Sequence, residues 1–180
     1  MQLSKRCEYA LRALIDVGIA RELGRPVIRA ADLAAHERIP VPFLEQILLQ
    51  LRAEGYLASK RGQRGGYSLA RPAAEIRMGE VVRLFEGFLA PIACASQVAY
   101  ERCSCPDEDH CGLRVLMLDV RNAVSHVLDR HTLADVVEVT MRKLRRDGVR
   151  HPFVHVLEVL HDPAPTAPAP RPRRRARSVR

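Results

Sequence analysis

The clearest alternation of apolar and polar positions lies between residues 39 and 71, IPVPFLEQILLQLRAEGYLASKRGQRGGYSLAR. Leu44, Ile47, Leu48 and Leu51 recur at helical spacing and make one apolar face, while Glu45, Gln46 and Leu49 fall roughly opposite. Pro42 suits a first helical turn, where its missing N–H costs nothing, and Gly55 stands just past the last periodic residue, where a left-handed cap is expected. The pattern predicts a helix over 42–53. Two short strand-like runs follow, 56–59 and 67–70, joined by Lys60-Arg61-Gly62-Gln63-Arg64-Gly65-Gly66. Glycines let such a loop bring its backbone close to phosphates, and its three cations supply counter-charge.

Upstream, Ser4 can cap a helix that runs to about residue 22, with Cys7, Leu11, Leu14, Ile15 and Gly18 on its core face and Glu8 at the border. Gly24-Arg25-Pro26 is a turn. Val27-Ile28 reads as a short strand that pairs with the hairpin, and 29–36 as a short helix whose alanines let the next helix approach. His36, beside the following turn, is expected to be a surface or capping residue. Downstream, the pattern predicts a helix over 78–86 that ends at Gly87. The longest helix, 113–130, carries Leu113, Leu116, Met117, Val120, Val124, Val127 and Leu128 on one stripe, with Val115 and Leu118 apolar off it. A helix of that kind packs on two surfaces, its own domain and a partner. Thr132 and Asp135 form a capping-box start for a helix over 133–146, closed by Gly148. One more amphipathic helix is expected over 151–161, with Phe153, Val156, Leu157 and Leu160 inward and His151, His155 and His161 exposed on its polar face.

Composition changes this picture in three places. The 180 residues suffice for one good core plus appendages, filled by aliphatic side chains because Trp is absent and aromatics are few. Neither a signal peptide nor an apolar run of membrane-spanning length stands out, so a cytoplasmic protein with no membrane partner is expected. The net charge of +8 is concentrated at the end: 171–180, RPRRRARSVR, holds six Arg and no acid, and without it the charge is only +2. Any nucleic-acid-binding surface must therefore be a local patch. Residues 162–180, rich in Pro, Ala and Arg, cannot bury a core and are expected to be disordered. No nucleophile–base arrangement appears, and 62–66 lacks the lysine order of a nucleotide loop, so an enzyme is not expected.

Cysteine is the remaining chemistry. Four of the five cysteines, Cys94, Cys103, Cys105 and Cys111, fall within 18 residues with the spacing C-x8-C-x-C-x5-C. Structural disulfides are not expected in a reducing compartment. Thiolates are the soft ligands that zinc and iron–sulfur clusters share. Zinc sites usually contain C-x2–4-C pairs, which this loop lacks, and the single-residue gap between Cys103 and Cys105 is awkward for a tetrahedral ion. A cluster presents several iron atoms and accommodates well-separated ligands more easily. Cys7, outside the loop, reads as a small buried hydrophobe.

The stretch 39–71 resembles the winged helix-turn-helix of the IscR/NsrR family of bacterial regulators, also called the Rrf-two family. Phe43-Leu44-Glu45-Gln46, the spacing to Leu51-Arg52, and Arg61 followed by Gly65-Gly66-Tyr67 carry the likeness, which extends over roughly 1–137. The resemblance implies a mainly α fold with a small β-hairpin wing: a winged helix-turn-helix domain (1–87), a cysteine-rich sensor loop (88–112) and a long dimerisation helix, which with the C-terminal helices read from periodicity makes up 113–161, ahead of the tail (162–180). It implies a homodimer that binds a palindromic operator in double-stranded DNA and regulates transcription, as a repressor or otherwise. Glu45 and Gln46 are the base-contact candidates, Phe43 braces the recognition helix or meets a thymine methyl, and Lys60, Arg61 and Arg64 are placed against the DNA backbone or minor groove. Cluster-binding members carry three cysteines in this loop, and Cys94, Cys105 and Cys111 match them. The interval from Cys94 to Cys105 is longer than in the family, and Cys103 is additional. Some members complete the shell with a first-helix carboxylate from the partner subunit, and Glu8 stands at that position. The implied cofactor is thus a 2Fe–2S or 4Fe–4S cluster with Cys103 or Glu8 as fourth ligand and His110 as a weaker candidate. The alternative is a DNA-binding repressor with a metal-free thiol switch or a structural zinc.

Overall fold

The computed structural model describes residues 2–62, 65–87 and 89–153. Arg64, most of the helix expected over 151–161, and the 162–180 tail lie outside the described residues. Helices α1 (Lys5–Glu22), α2 (Ala30–Glu37) and α3 (Val41–Ala53) precede a hairpin of β1 (Leu57–Lys60) and β2 (Gly66–Leu69). Then come α4 (Met78–Glu86), α5 (Gly112–Arg130) and α6 (Leu133–Arg146). No helix among the described residues is long and apolar enough to cross a membrane.

Local chemistry accounts for most boundaries. The Ser4 hydroxyl accepts from the Cys7 amide at 3.1 Å and opens α1. Ser4 also donates, through its amide and hydroxyl, to Glu86 Oε1 at 2.9 and 2.7 Å, which ties the start of α1 to the end of α4. Thr132 and Asp135 form the expected reciprocal capping box of α6. Arg38, with φ 55°, turns the chain between α2 and α3 in the left-handed region without a glycine. Arg12 holds that turn by donating to the Glu37 carbonyl at 3.0 Å and pairing with its carboxylate.

The core lies where α1, α2, α3 and α6 meet. Leu14, Leu33, Leu44, Ile47, Leu48, Leu51 and Leu133 are fully buried there. The face of α1 is rotated slightly from expectation: Ala10, Ala13 and Val17 are buried, whereas Leu11 and Ile15 are half-buried. Alanines suit the deepest positions because α3 and α6 press close from both sides. The hairpin is antiparallel, Leu57 opposite Leu69 and Lys60 opposite Gly66, and begins one residue later than the apolar run indicated. Ile28 pairs with Tyr67 through two backbone bonds of 2.9 and 2.7 Å, which anchors the hairpin to the segment before α2.

Helix α5 divides its apolar positions between its own domain and open surface, and one residue beyond α6 departs from its sequence expectation. None of the 19 residues of α5 is buried; Met117, Val124 and Leu128 are half-buried, while Leu113, Leu116, Val120 and Val127 are exposed. The α5 stripe therefore faces away from its own domain over much of its length. His151, expected on an exposed polar face, has a side chain only 8% exposed. It packs against His36 and beside Phe153, which is itself buried as expected. The chain folds back after α6 onto α1 and α2, a docking that periodicity within one segment does not encode.

Candidate nucleic-acid interface and metal centre

Helix α3 buries Leu44, Ile47, Leu48 and Leu51, so its outer face must present Val41, Phe43, Glu45, Gln46 and Leu49. Phe43 is 39% exposed and meets the Tyr9 ring edge-on, with centroids 5.9 Å apart and planes at 84°. This contact braces the start of α3 against α1 and leaves part of the Phe43 ring open. Lys5 and Arg12 lie over the same Tyr9 ring at 5.9 and 5.4 Å, so cations rim the entrance of α3. Sequence reasoning missed this rim; its signal was the 5, 9, 12 spacing, one helical face of α1.

Lys60 and Arg61 stand exposed at the tip of the hairpin. Gly62 has φ 106° and Gly66 φ 154°. A Cβ on Gly66 would lie 2.2 Å from the Ile28 carbonyl oxygen. Only glycine lets the wing backbone come this close to the strand segment it leans on. Arg52 donates to the Ser59 hydroxyl at 3.2 Å, linking the end of α3 to the wing. Thus the exposed face of α3 and the wing cations are parts of one rigid unit.

The cysteine loop is held from both ends. Cys94 lies buried on a short 3-10 turn, Ala93–Ala95, and Cys111 precedes α5, whose Val115 amide donates to its carbonyl at 3.2 Å. Arg114 Nε donates to the Cys94 carbonyl at 3.1 Å, and Arg121 Nη1 to the Ala95 carbonyl at 2.5 Å. Within the loop, Glu108 accepts from the Cys103 amide at 2.9 Å and the Tyr100 hydroxyl at 2.8 Å, and pairs with Arg114 at 3.3 Å. The Cys103 amide, then the Tyr100 hydroxyl, hold the Glu108 carboxyl below the usual carboxylate range. Glu108, Arg114 and Arg121 were not legible as loop organisers. The only trace is that the two arginines are seven residues apart on one face of α5.

The four loop thiols are close enough to perturb one another: Cys94 and Cys105 each act on Cys103, and Cys111 acts on Cys105. The Cys105 amide also donates to Cys103 Sγ at 3.3 Å. Hydrogen bonds from Cys105 draw the Cys103 thiol below its ordinary range, and the same contact pushes Cys105 up to about 11. Burial, then the Cys103 neighbour, raises Cys94. Cys103 is thus drawn toward its thiolate form while Cys94 and Cys105 are drawn away from theirs. No three loop sulfurs all lie within 4.8 Å of one another. A zinc tetrahedron needs sulfur–sulfur edges of about 3.8 Å. The donor set, four soft ligands strung along one loop, fits a polynuclear iron–sulfur group better than a single ion.

Cys7 and Glu8 sit apart from these thiols in their recorded contacts. Cys7 is fully buried with Val82 and Leu89, and burial foremost, then Glu86, pushes its thiol up to about 12. It is a neutral core residue. Glu8, on the partly exposed side of α1, pairs with Lys5 at 2.7 Å and Arg12 at 3.2 Å. His110 is largely exposed and pairs with Asp107 at 2.8 Å.

The model of the Rrf2 family, described as "Iron-dependent Transcriptional regulator", matches residues 3–139. The chain belongs to the Rrf2 family. It is 36% identical over 149 residues to the HTH-type transcriptional regulator NsrR of Geobacillus kaustophilus, covering 82% of this chain and 98% of that one. It is 34% identical to protein rrf2 of Nitratidesulfovibrio vulgaris, covering 76% and 87%. Among solved structures, CymR of B. subtilis, titled the global cysteine regulator, superposes with a TM-score of 0.64 at 27% identity, covering 77% and 98%. T. potens IscR gives 0.60 at 26%, covering 78% and 88%. Rrf2 membership makes the protein a DNA-binding transcriptional regulator of the winged-helix class, and its relatives are regulators, not enzymes.

Proposed function

We propose that this Rrf2 regulator binds a palindromic operator as a homodimer and that an iron–sulfur cluster in the 94–111 loop controls its DNA affinity. The observation that carries the proposal is the gathering of Cys94, Cys103, Cys105 and Cys111, with the Cys105 amide on Cys103 Sγ, in one loop stapled to α5 by Arg114 and Arg121. Cys94, Cys105 and Cys111 are the proposed ligands. Cys103, already joined to its neighbours, is favoured as the fourth over Glu8 of the partner subunit. When bound, such a group supplies iron open to reaction with small oxidants. The residues of the chain do the rest: the loop thiols fix the position of the Ala93–Ala95 turn, and Arg114 and Arg121 pass that position to α5.

The dimer proposal rests on α5. Leu113, Leu116, Val120, Ala123 and Val127 are all exposed and repeat at alternating intervals of three and four residues. That is the seam of a two-helix coiled coil, unfilled within one chain. Asp129 joins α5 to Arg83 of α4 at 2.6 Å, and α4 in turn reaches Ser4 at the start of α1. A shift of α5 is thereby coupled to the spacing of two recognition helices, which must enter successive major grooves.

At the DNA, Glu45 and Gln46 are the proposed base readers. Lys60, Arg61 and Arg64 are the proposed backbone contacts. Arg61→Ala should weaken binding to all sequences alike and reduce the dependence of log K on log salt by about one unit. Loss confined to one operator position would make Arg61 a base reader instead.

Iron and acid-labile sulfide in anaerobically purified protein test the cluster proposal. Cys94→Ala, Cys105→Ala and Cys111→Ala should each lose both, and Cys7→Ala should keep both. Cys103→Ala compared with Glu8→Ala identifies the fourth ligand. A second reading, a metal-free thiol switch, draws on the lowered Cys103 thiol and on the 30% identical S. aureus CymR, solved in an oxidized form. It takes over if the wild type holds no iron after anaerobic reconstitution.

A further inference from the structure

A second cluster of ligating side chains lies away from the cysteine loop. Asp16 of α1, His36 in the last turn of α2 and His151 beyond α6 converge so that one ligand atom from each lies within 4.8 Å of the others. The Asp16 side chain is 5% exposed, and its Oδ2 is buried without a hydrogen-bond partner. Both histidine Nε2 atoms stand 3.7 Å from Asp16 Oδ1. That is too long for a hydrogen bond and close to the edge of about 3.3 Å that two ligands share on a tetrahedral divalent ion. The imidazole centroids are 4.9 Å apart, and Phe153 packs against both rings at 5.1 and 5.0 Å.

Charge points the same way. A buried carboxylate with one oxygen unpartnered is costly unless a cation reaches it. The nearby Arg12 is committed to Glu8 and to Glu37, and Glu37 adds a second carboxylate on this side of α1. The Phe153 amide approaches His151 Nδ1 at 3.5 Å, the outer limit of a hydrogen bond, so the ring is positioned but free to adjust. The His36 side chain is 30% exposed, which gives an ion a way in.

We infer that Asp16, His36 and His151 form a binding site for a divalent first-row transition ion, independent of the cysteine loop. Two imidazoles and one carboxylate suit zinc, with a water in the fourth position. The three ligands come from the helix at the centre of the core, the first helix of the helix-turn-helix, and the segment after α6. Occupancy would therefore clamp that segment onto the DNA-binding unit.

Cobalt(II) and zinc, added separately to the untagged full-length protein, test the inference. Cobalt bound here gives visible d–d bands without the near-ultraviolet thiolate charge transfer that loop binding produces. The expected result is one such thiolate-free equivalent per chain, retained when Cys94, Cys103, Cys105 and Cys111 are all changed to Ser. His151→Gln, which keeps a polar side chain of similar size, should fold with a metal-free Tm within a few degrees of wild type yet bind zinc at least about 100-fold more weakly. At a hundredfold excess over its Kd, zinc should raise the wild-type Tm by about 5–10 °C, and the His151→Gln Tm much less. Only thiolate-bound cobalt in the wild type, or equal zinc affinity in wild type and His151→Gln, overturns the inference.

Discussion

Leu116→Asp combined with Val120→Asp should convert the protein to a monomer and abolish high-affinity operator binding. Leu116 is 55% and Val120 39% exposed in one chain, so neither substitution opens a cavity in the domain itself. In a paired α5 seam they would bury four carboxylates per dimer against apolar neighbours, at a cost of several kcal/mol each before relaxation. Even about 4 kcal/mol in total raises the dimer dissociation constant roughly a thousandfold. Sedimentation equilibrium reads the assembly, and circular dichroism should report an unchanged helix content. A variant that stays dimeric at micromolar concentration would move the interface elsewhere.

Gly66→Ala should strongly destabilise the wing. Its Cβ would sit 2.2 Å from the Ile28 carbonyl oxygen and 2.6 Å from the carbonyl carbon, in backbone rather than at the end of a flexible side chain. The Ile28–Tyr67 backbone pair must then open and the hairpin tilt. A loss of about 3 kcal/mol is expected from overpacking and strain together, or roughly 6–12 °C in Tm. Gly62 supplies the control: its φ of 106° also favours glycine, but a Cβ there meets nothing within 4 Å. Gly62→Ala should cost only about 1–2 kcal/mol. Equal effects of the two would show that the close approach to Ile28 contributes little.

The sequence was most legible where one residue decides a boundary. Helix α4 begins at Met78 and ends before Gly87 as its periodicity and glycine require, and Thr132 with Asp135 cap α6 as their spacing implies. The exposed face of α3 followed from its buried one. Periodicity could not tell which part of the α5 stripe faces its own domain, because apolar side chains at a partner interface and at a core look alike. His151 was misread because its burial depends on a fold-back onto α1 and α2, set by contacts far away in sequence. Glu108, Arg114 and Arg121 were invisible for a related reason: they bond to backbone groups of the loop, and backbone partners leave no mark in the sequence. The cysteines announced a soft-metal site by number and spacing. Only the structure shows how the loop is held, with the Cys105 amide donating to Cys103 Sγ and Arg114 donating to the Cys94 carbonyl.

The central claim is that chemistry at the cysteine loop sets DNA affinity. Its most direct measurement is the affinity of anaerobically purified protein for a duplex it has selected from a random pool, compared with the same protein after its iron is removed by chelation. At least about a tenfold difference, or 1.4 kcal/mol, is expected in the wild type, and none in Cys105→Ala. Equal affinity of the two wild-type forms would contradict it.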